Sequence, residues 1–293
     1  MEPIPNSELQ TPGAFVVCGP TASGKSELSD VVAEKLTEWR GRHVPTVVVD
    51  SMQVYRELPI ITNQGRRRKA GLVGVVSVSE EWSVAAHREG VGELVASEDV
   101  FVLDAGTGMY LNAILLDFPL APRVTPELRR RAGGASVNAP NPRRAARERE
   151  LELSGADQRG SVWEGNLRYE TTIVYLRPPR EVLDAAISGR SRRIAHSGIG
   201  EAEILKARLE RGEKINSSVL DSVGVRELLR YLSGEMTLDQ AEDQIATRTR
   251  RLARRQMRWF DKLTKILEGR APITILEDPK QTHLHSMHDI IGA

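Results

Sequence analysis

The chain has 293 residues, with 41 Lys+Arg against 40 Asp+Glu, 40% hydrophobic residues and a single cysteine. This composition suits a globular protein with one large core or two smaller ones and excludes a disordered chain. One cysteine excludes an internal disulfide and a cysteine-based zinc site, and no apolar run approaches the ~20 residues that span a bilayer. A reducing, cytoplasmic setting and no membrane partner are therefore expected. Residues 1–13 are polar and contain proline, unlike the charged-then-apolar plan of a signal peptide.

Short apolar runs at 14–18, 46–50, 73–78, 99–104, 171–176 and 273–276 predict strands, most of them rich in Val or Ile and buried on both faces. Helices are predicted between them at 25–40, 82–96, 108–116, 180–190, 201–211, 218–232 and 237–267. Alternating strands and helices mean a mostly parallel α/β sheet, followed by a helical C-terminal part. Residues 119–168 stand apart, with eight Arg and two Glu between positions 123 and 149. They read as a basic insertion, a substrate arm or lid. The expected division is a core at 13–118, the insertion at 119–168, and core completion with helices at 169–293.

Gly19-Pro20-Thr21-Ala22-Ser23-Gly24-Lys25-Ser26 follows the first strand and opens a helix. That is the context in which G-x-x-x-x-G-K-[ST] cradles a polyphosphate. Backbone N–H groups from Gly19, Thr21, Ala22, Ser23 and Gly24 and the helix dipole face the anion. Lys25 neutralises outer phosphates, and the Ser26 hydroxyl ligates Mg²⁺. The next strand ends in Asp50-Ser51-Met52-Gln53-Val54-Tyr55-Arg56. Its carboxylate suits a general base or a water-bridged Mg²⁺ ligand, and the Gln53 amide suits reading an adenine edge. Asp104 ends another strand and could hold Mg²⁺ in a P-loop small-molecule kinase.

These two segments together resemble the tRNA dimethylallyltransferases, which share a P-loop NTPase-like fold with the adenylate dimethylallyltransferases. Gly106-Thr107-Gly108-Met109-Tyr110, Gly224-Val225-Arg226-Glu227 and the run from Thr249 to Phe260 continue the resemblance in the same order. The resemblance implies transfer of a dimethylallyl group from dimethylallyl diphosphate to N6 of an adenine, adenosine 37 of tRNA, with Mg²⁺. The alternative acceptor is a free adenine nucleotide. It further implies Asp50 as the base, Thr107 beside the transferring group and Arg226 on the diphosphate. Ser51, Met52, Gln53, Arg129, Arg144, Arg147, Arg250 and Arg251 fall at positions that contact the adenine or tRNA. The resemblance departs at the insertion, which is shorter than usual and rich in Gly, Ala and Asn between its two motifs.

Residues 247–262 carry seven cations and one acid at helical spacing. An anionic backbone would relieve their repulsion. Trp259 and Phe260 are expected to pack the helix rather than stack bases. Arg66-Arg67-Arg68-Lys69 reads as a flexible basic loop, Cys18 as a buried structural thiol, and His283, His285 and His288 as a polar tail. A monomer is expected.

Overall fold

The computed structural model describes residues 11–121, 124–134, 142–155 and 161–278; His283, His285 and His288 lie outside them. Five strands form one all-parallel sheet, β1 (Gly13–Cys18), β2 (Thr46–Val49), β3 (Val100–Ala105), β4 (Glu170–Leu176) and β5 (Ile273–Leu276), in the order β2-β3-β1-β4-β5. All residues of β2 and β3 are buried. That explains their continuous Val-rich runs, because a parallel strand is covered on both faces. The chain leaves β1 toward β2 and leaves β3 toward β4, so the strand order reverses between β1 and β3. Ligands of open α/β sheets bind outside the carboxyl ends of such a pair. The fold is the P-loop-like α/β class expected from the sequence.

Helix α1 (Lys25–Arg40) places Leu28, Val32 and Leu36 against the sheet, in one core with Val17, Val102 and Val174. Helices α2 (Val84–Val95) and α3 (Gly108–Leu115) follow, and the Ser83 side chain caps α2 by accepting from Ala86 N–H. Two compact units divide the chain: Met1–Leu115 with Leu167–Ala293, and Leu116–Asn166. The second holds α4 (Pro126–Gly134) packed on α5 (Pro142–Ser154). Helices α6 (Arg180–Ser197), α7 (Ile199–Glu210), α8 (Ser217–Leu220), α9 (Val225–Leu232) and α10 (Leu238–Leu267) complete the first unit. They build a second core around Leu58, Ile61, Ile194 and Leu228.

Two expected elements form differently. Residues 73–78 make only an isolated bridge from Val76 to Tyr55, because Leu72 and Gly74 take positive φ and break the extended run. The helix expected at 218–232 is interrupted at Gly224, with φ +100°. A side chain there would lie 2.8 Å from Ile61 Cγ2 and 2.9 Å from Ile194 Cγ2, so the turn between α8 and α9 packs against Ile61 and α6 only as glycine.

The basic run at 66–69 is anchored, not flexible. Arg66 is buried and pairs with Asp30 of α1 at 2.6 Å and Asp104 of β3 at 3.1 Å, both also buried. Asp30 accepts further bonds from the Arg67 and Arg68 N–H groups. Two buried carboxylates tolerate each other only with the guanidinium between them. Replacing Arg66 with Met is expected to cost about 3–5 kcal/mol in urea unfolding. Adding Asp30→Asn and Asp104→Asn to it should recover most of that loss. A single variant as stable as the wild type would show the triad to be dispensable.

Candidate active site at the carboxyl ends of β1 and β3

Immediately beyond the sheet, the Gly19 N–H reaches the Ala105 carbonyl at 3.4 Å and links the loop after β1 to the turn after β3. In that loop Ala22 and Gly24 adopt positive φ, +65° and +85°. The first helical bond of α1 runs from Leu28 N–H to the Gly24 carbonyl, so the amides of Lys25, Ser26 and Glu27 precede the ladder. Ser23 Oγ is buried without a partner. The Lys25 and Ser26 side chains make no hydrogen bond or ion pair among the described residues. Uncommitted amides, a free ammonium and an orphaned hydroxyl fit a diphosphate.

On the other side, the Val49 carbonyl accepts from both Gly106 and Thr107 N–H at 3.1 Å. The Thr107 hydroxyl accepts from Ser51 N–H at 3.2 Å. These bonds hold the Asp50 turn against the Thr107 turn. Asp50 Oδ1 accepts from Met52 N–H at 2.8 Å and Gln53 N–H at 3.3 Å, which aims the carboxylate and leaves Oδ2 free. A Cβ built on Gly106 would lie 2.9 Å from Asp50 Oδ2 and 3.1 Å from Lys25 Cε. Base and loop lysine therefore flank one glycine. Gln53 is buried beside them, its side-chain amide unbonded among the described residues. No cluster of three His, Cys, Asp or Glu exists among the described residues. Ser26 and Asp50 are the oxygen-bearing side chains here that could hold a Mg²⁺ brought by a diphosphate.

The profile described as "IPP transferase" matches residues 53–139 and 131–263. A tRNA dimethylallyltransferase of Rubrobacter xylanophilus is 57% identical over 97% of this chain and 100% of its own. One from Rickettsia canadensis is 29% identical over 85% of this chain and 87% of its own. The chain belongs to the IPP transferase family. The solved full-length tRNA isopentenylpyrophosphate transferase of Bacillus halodurans aligns with a TM-score of 0.68 at 25% identity, covering 97% of this chain and 96% of that one. A eukaryotic dimethylallyltransferase acting on tRNA shares the fold, with a TM-score of 0.72 at 19% identity over 96% of this chain and 78% of that one.

Within this IPP transferase the structure sorts the expected residues. It gathers Gly19, Thr21, Ala22, Ser23, Gly24, Lys25, Ser26, Asp50, Ser51, Met52, Gln53 and Thr107 around the β1–β3 junction. Among the described residues Arg226 makes no hydrogen bond or ion pair with them; it is exposed on α9 and pairs with Asp221 at 3.3 Å. Arg190 of α6, half-buried and without a hydrogen bond or ion pair among the described residues, is a second cation whose charge interacts with that of Asp50. Burial pulls its guanidinium down to about 10 against the opposing pull of Asp50, and Arg193 lowers it further, so it stays charged at neutral pH. Sequence reasoning missed Arg190 because it stands in an ordinary-looking helix. It also missed Gln256, which accepts from Thr21 N–H and donates to the Gly106 carbonyl, both at 2.8 Å. Cys18 is buried, and burial raises its thiol, as fits a structural role.

The seven cations of residues 247–262 are not equivalent. Arg248 pairs with buried Glu227 and with Asp221, and Arg250 with Asp184 and Ser188 of α6. Arg251, Arg254, Arg255 and Arg258 are exposed and have no partner among the described residues. With Arg177 and Asp261 they line a cleft of about 510 Å³. Trp259 and Phe260 pack inward: Trp259 Nε1 donates to Asn112 at 3.1 Å, and Phe260 is fully buried. In the second unit Arg147 pairs with Glu150 at 2.8 Å. The side chains of Arg129 and Arg144 lie outside the described ones.

Behind Asp50, His87 of α2 supports β2. Its Nδ1 accepts from Trp82 Nε1–H at 3.0 Å and its Nε2 lies 3.0 Å from the Val48 carbonyl, so the neutral Nε2–H tautomer satisfies both. Burial lowers its pKa to about 4, only partly offset by the Val48 carbonyl. An unfolded chain binds this proton near pH 6.5, while the folded chain does not until about pH 4. Stability therefore falls as pH drops through that window, by about 3 kcal/mol from this group. Urea unfolding at pH 7 and 4.5 should show a smaller acid loss for His87→Gln than for the wild type. Parallel losses would refute the assignment.

Proposed function

We propose that this protein transfers the dimethylallyl group of dimethylallyl diphosphate to N6 of an adenine, adenosine 37 of tRNA, as a cytoplasmic monomer. The observation that carries the reading is the meeting of Asp50 and Lys25 across Gly106 beside the diphosphate loop, in a chain 57% identical to a tRNA dimethylallyltransferase. An exocyclic amine is a weak nucleophile because its lone pair is shared with the ring. Asp50 Oδ2 orients the amine and takes its proton as nitrogen bonds to the allylic carbon. The carbon–oxygen bond breaks, and its electron pair leaves with the diphosphate. Lys25, Arg190 and the loop amides stabilise the charge that develops there. Mg²⁺, held through Ser26, would supply further charge neutralisation. Thr107 stands beside the transferring group, and Gln53 is placed to read the adenine edge. A base that reaches this junction must leave its stack.

Four unpaired arginines on α10 favour an RNA acceptor over a mononucleotide, because they form a surface wider than one phosphate group can use. Arg251 is proposed to contact the RNA backbone there. Arg250, tied to α6, is proposed to hold the helix beside it. Arg129, Arg144 and Arg147 of the second unit are proposed as further RNA contacts. The kinase alternative loses support, since Asp104 is engaged by Arg66 in the interior.

Incubation with dimethylallyl diphosphate and either tRNA bearing A36-A37-A38 or AMP, followed by digestion and mass analysis, tests the acceptor. Prenylated adenosine is expected from the tRNA alone. Asp50→Asn should lower turnover by ~100-fold or more with RNA affinity little changed. Arg190→Met should lower turnover strongly, whereas Arg226→Met should leave it near wild type; the reverse would return the diphosphate role to Arg226. Arg251→Ala should weaken RNA binding and reduce the salt slope by about one unit while turnover at saturating RNA persists. An unchanged slope would remove α10 from the RNA surface.

A further inference from the structure

One helix carries both the unpaired arginines and a side chain that reaches the diphosphate loop. Gln256 faces inward on α10, between Arg255 and Arg258 in sequence, and spans 235 residues to Thr21 and 150 to Gly106. Its Oε1 accepts from the Thr21 N–H and its Nε2 donates to the Gly106 carbonyl, each at 2.8 Å. Among the described residues no other side chain bonds to both the diphosphate loop and the Thr107 turn. An amide offers an acceptor and a donor side by side; a carboxylate lacks the donor and an ammonium lacks the acceptor. The Thr21 N–H is therefore spent on Gln256, which shapes the loop rather than touching an anion.

The turns around Gln256 are themselves fixed. Trp259 bonds Asn112 of α3, and the Tyr175 hydroxyl of β4 donates toward the Met257 carbonyl at 3.3 Å and Asp261 at 3.0 Å. Arg250 is tied to α6. The amide is thus presented in one orientation before any substrate arrives, the condition under which a hydrogen bond positions rather than merely adds contact.

We propose that Gln256 is a positioning residue that sets the spacing between the diphosphate cradle and the turn carrying Gly106 and Thr107, and so makes the arginine-bearing helix an integral support of the diphosphate site. The inference rests on the function proposed above, but its binding test does not. Without the clasp the loop retains its sequence and its lysine yet loses its register to Asp50 and Thr107. Diphosphate binding and the chemical step both suffer, while the outward arginines remain as they were.

The test compares Gln256→Met, which keeps length and loses both bonds, Gln256→Lys, which keeps a donor and adds a cation, and Leu263→Val, a buried α10 position outside the clasp, as a packing control. Calorimetry with Mg²⁺ and inorganic diphosphate should show ~10-fold weaker binding for Gln256→Met, the scale of one to two neutral hydrogen bonds. Gln256→Lys should also bind more weakly despite its added charge, where a purely electrostatic role would make it tighter. In transfer assays both Gln256 variants should raise KM for dimethylallyl diphosphate and lower kcat. RNA affinity and its salt slope should stay within about 2-fold of the wild type. Leu263→Val should keep wild-type diphosphate and RNA affinity. Wild-type diphosphate affinity in both Gln256 variants, or an equal loss in Leu263→Val, would overturn the proposal. If the wild type prenylates no RNA, the proposed function fails while the inorganic-diphosphate arm still decides the role of Gln256.

Discussion

Asp50 and Lys25 face each other across Gly106, and nothing larger than hydrogen fits between them at the position where a Cβ would stand. The sheet dictates this closeness. Neighbouring parallel strands lie ~4.8 Å apart, β1 adjoins β3, and β3 adjoins β2. The three carboxyl ends therefore deliver the phosphate loop, the Gly106 turn and Asp50 side by side. Backbone bonds from Gly106 and Thr107 to the Val49 carbonyl then hold the turn of β3 onto β2. A carboxylate on one strand end and a glycine-rich loop two strands away meet at one point only because the intervening turn carries no side chain there.

A site that handles a diphosphate needs positive charge, and the chain separates its cations by partner. Arg66, Arg248 and Arg250 are paired with carboxylates and hold elements together. Arg190 is half-buried without a carboxylate bonded to it, near enough to Asp50 to feel its charge. Leaving such a group unpaired costs desolvation, a cost that a structural role would not justify. Arg251, Arg254, Arg255 and Arg258 stay in water, where their repulsion is cheap until an anion arrives. Net charge near zero thus conceals three kinds of cation with three kinds of work.

The local parts of this arrangement were legible in the sequence. Residues 25–40 form α1 to the residue, because Lys25 opens it after the glycine loop and Gly41, at φ +66°, ends it. The strand runs were found through their β-branched burial pattern, and the phosphate loop through its spacing. The misses share one cause: they depend on partners far along the chain. Nothing near Arg66 announces Asp30 and Asp104, 36 and 38 residues away. Nothing near Gln256 announces Thr21. Arg190, in no motif that stood out, feels the charge of Asp50 from a helix that begins 130 residues after it. The run at 73–78 had strand composition, but after Gly71 bridges to Val47 of β2 the positive φ of Leu72 and Gly74 breaks the extended run, and residue preference alone does not make a strand.

The periodicity of α10 explains how one helix serves two surfaces. Thr249, Ala253, Phe260, Leu263, Thr264 and Leu267 are buried, at steps of three, four and seven that keep one stripe against the protein. Gln256 lies in the same stripe, seven residues after Thr249 and four before Phe260, so the packing that buries Phe260 also delivers the amide to the loop. The arginines at 251, 254, 255 and 258 fall outside that stripe for the same geometric reason. Rotating the helix to expose Gln256 would bury guanidinium groups, and rotating it the other way would expose Phe260. The desolvation cost of charge and the hydrophobic gain of the stripe therefore fix the same rotation. That rotation turns the arginines outward and sets the clasp on the diphosphate loop in a single packing event.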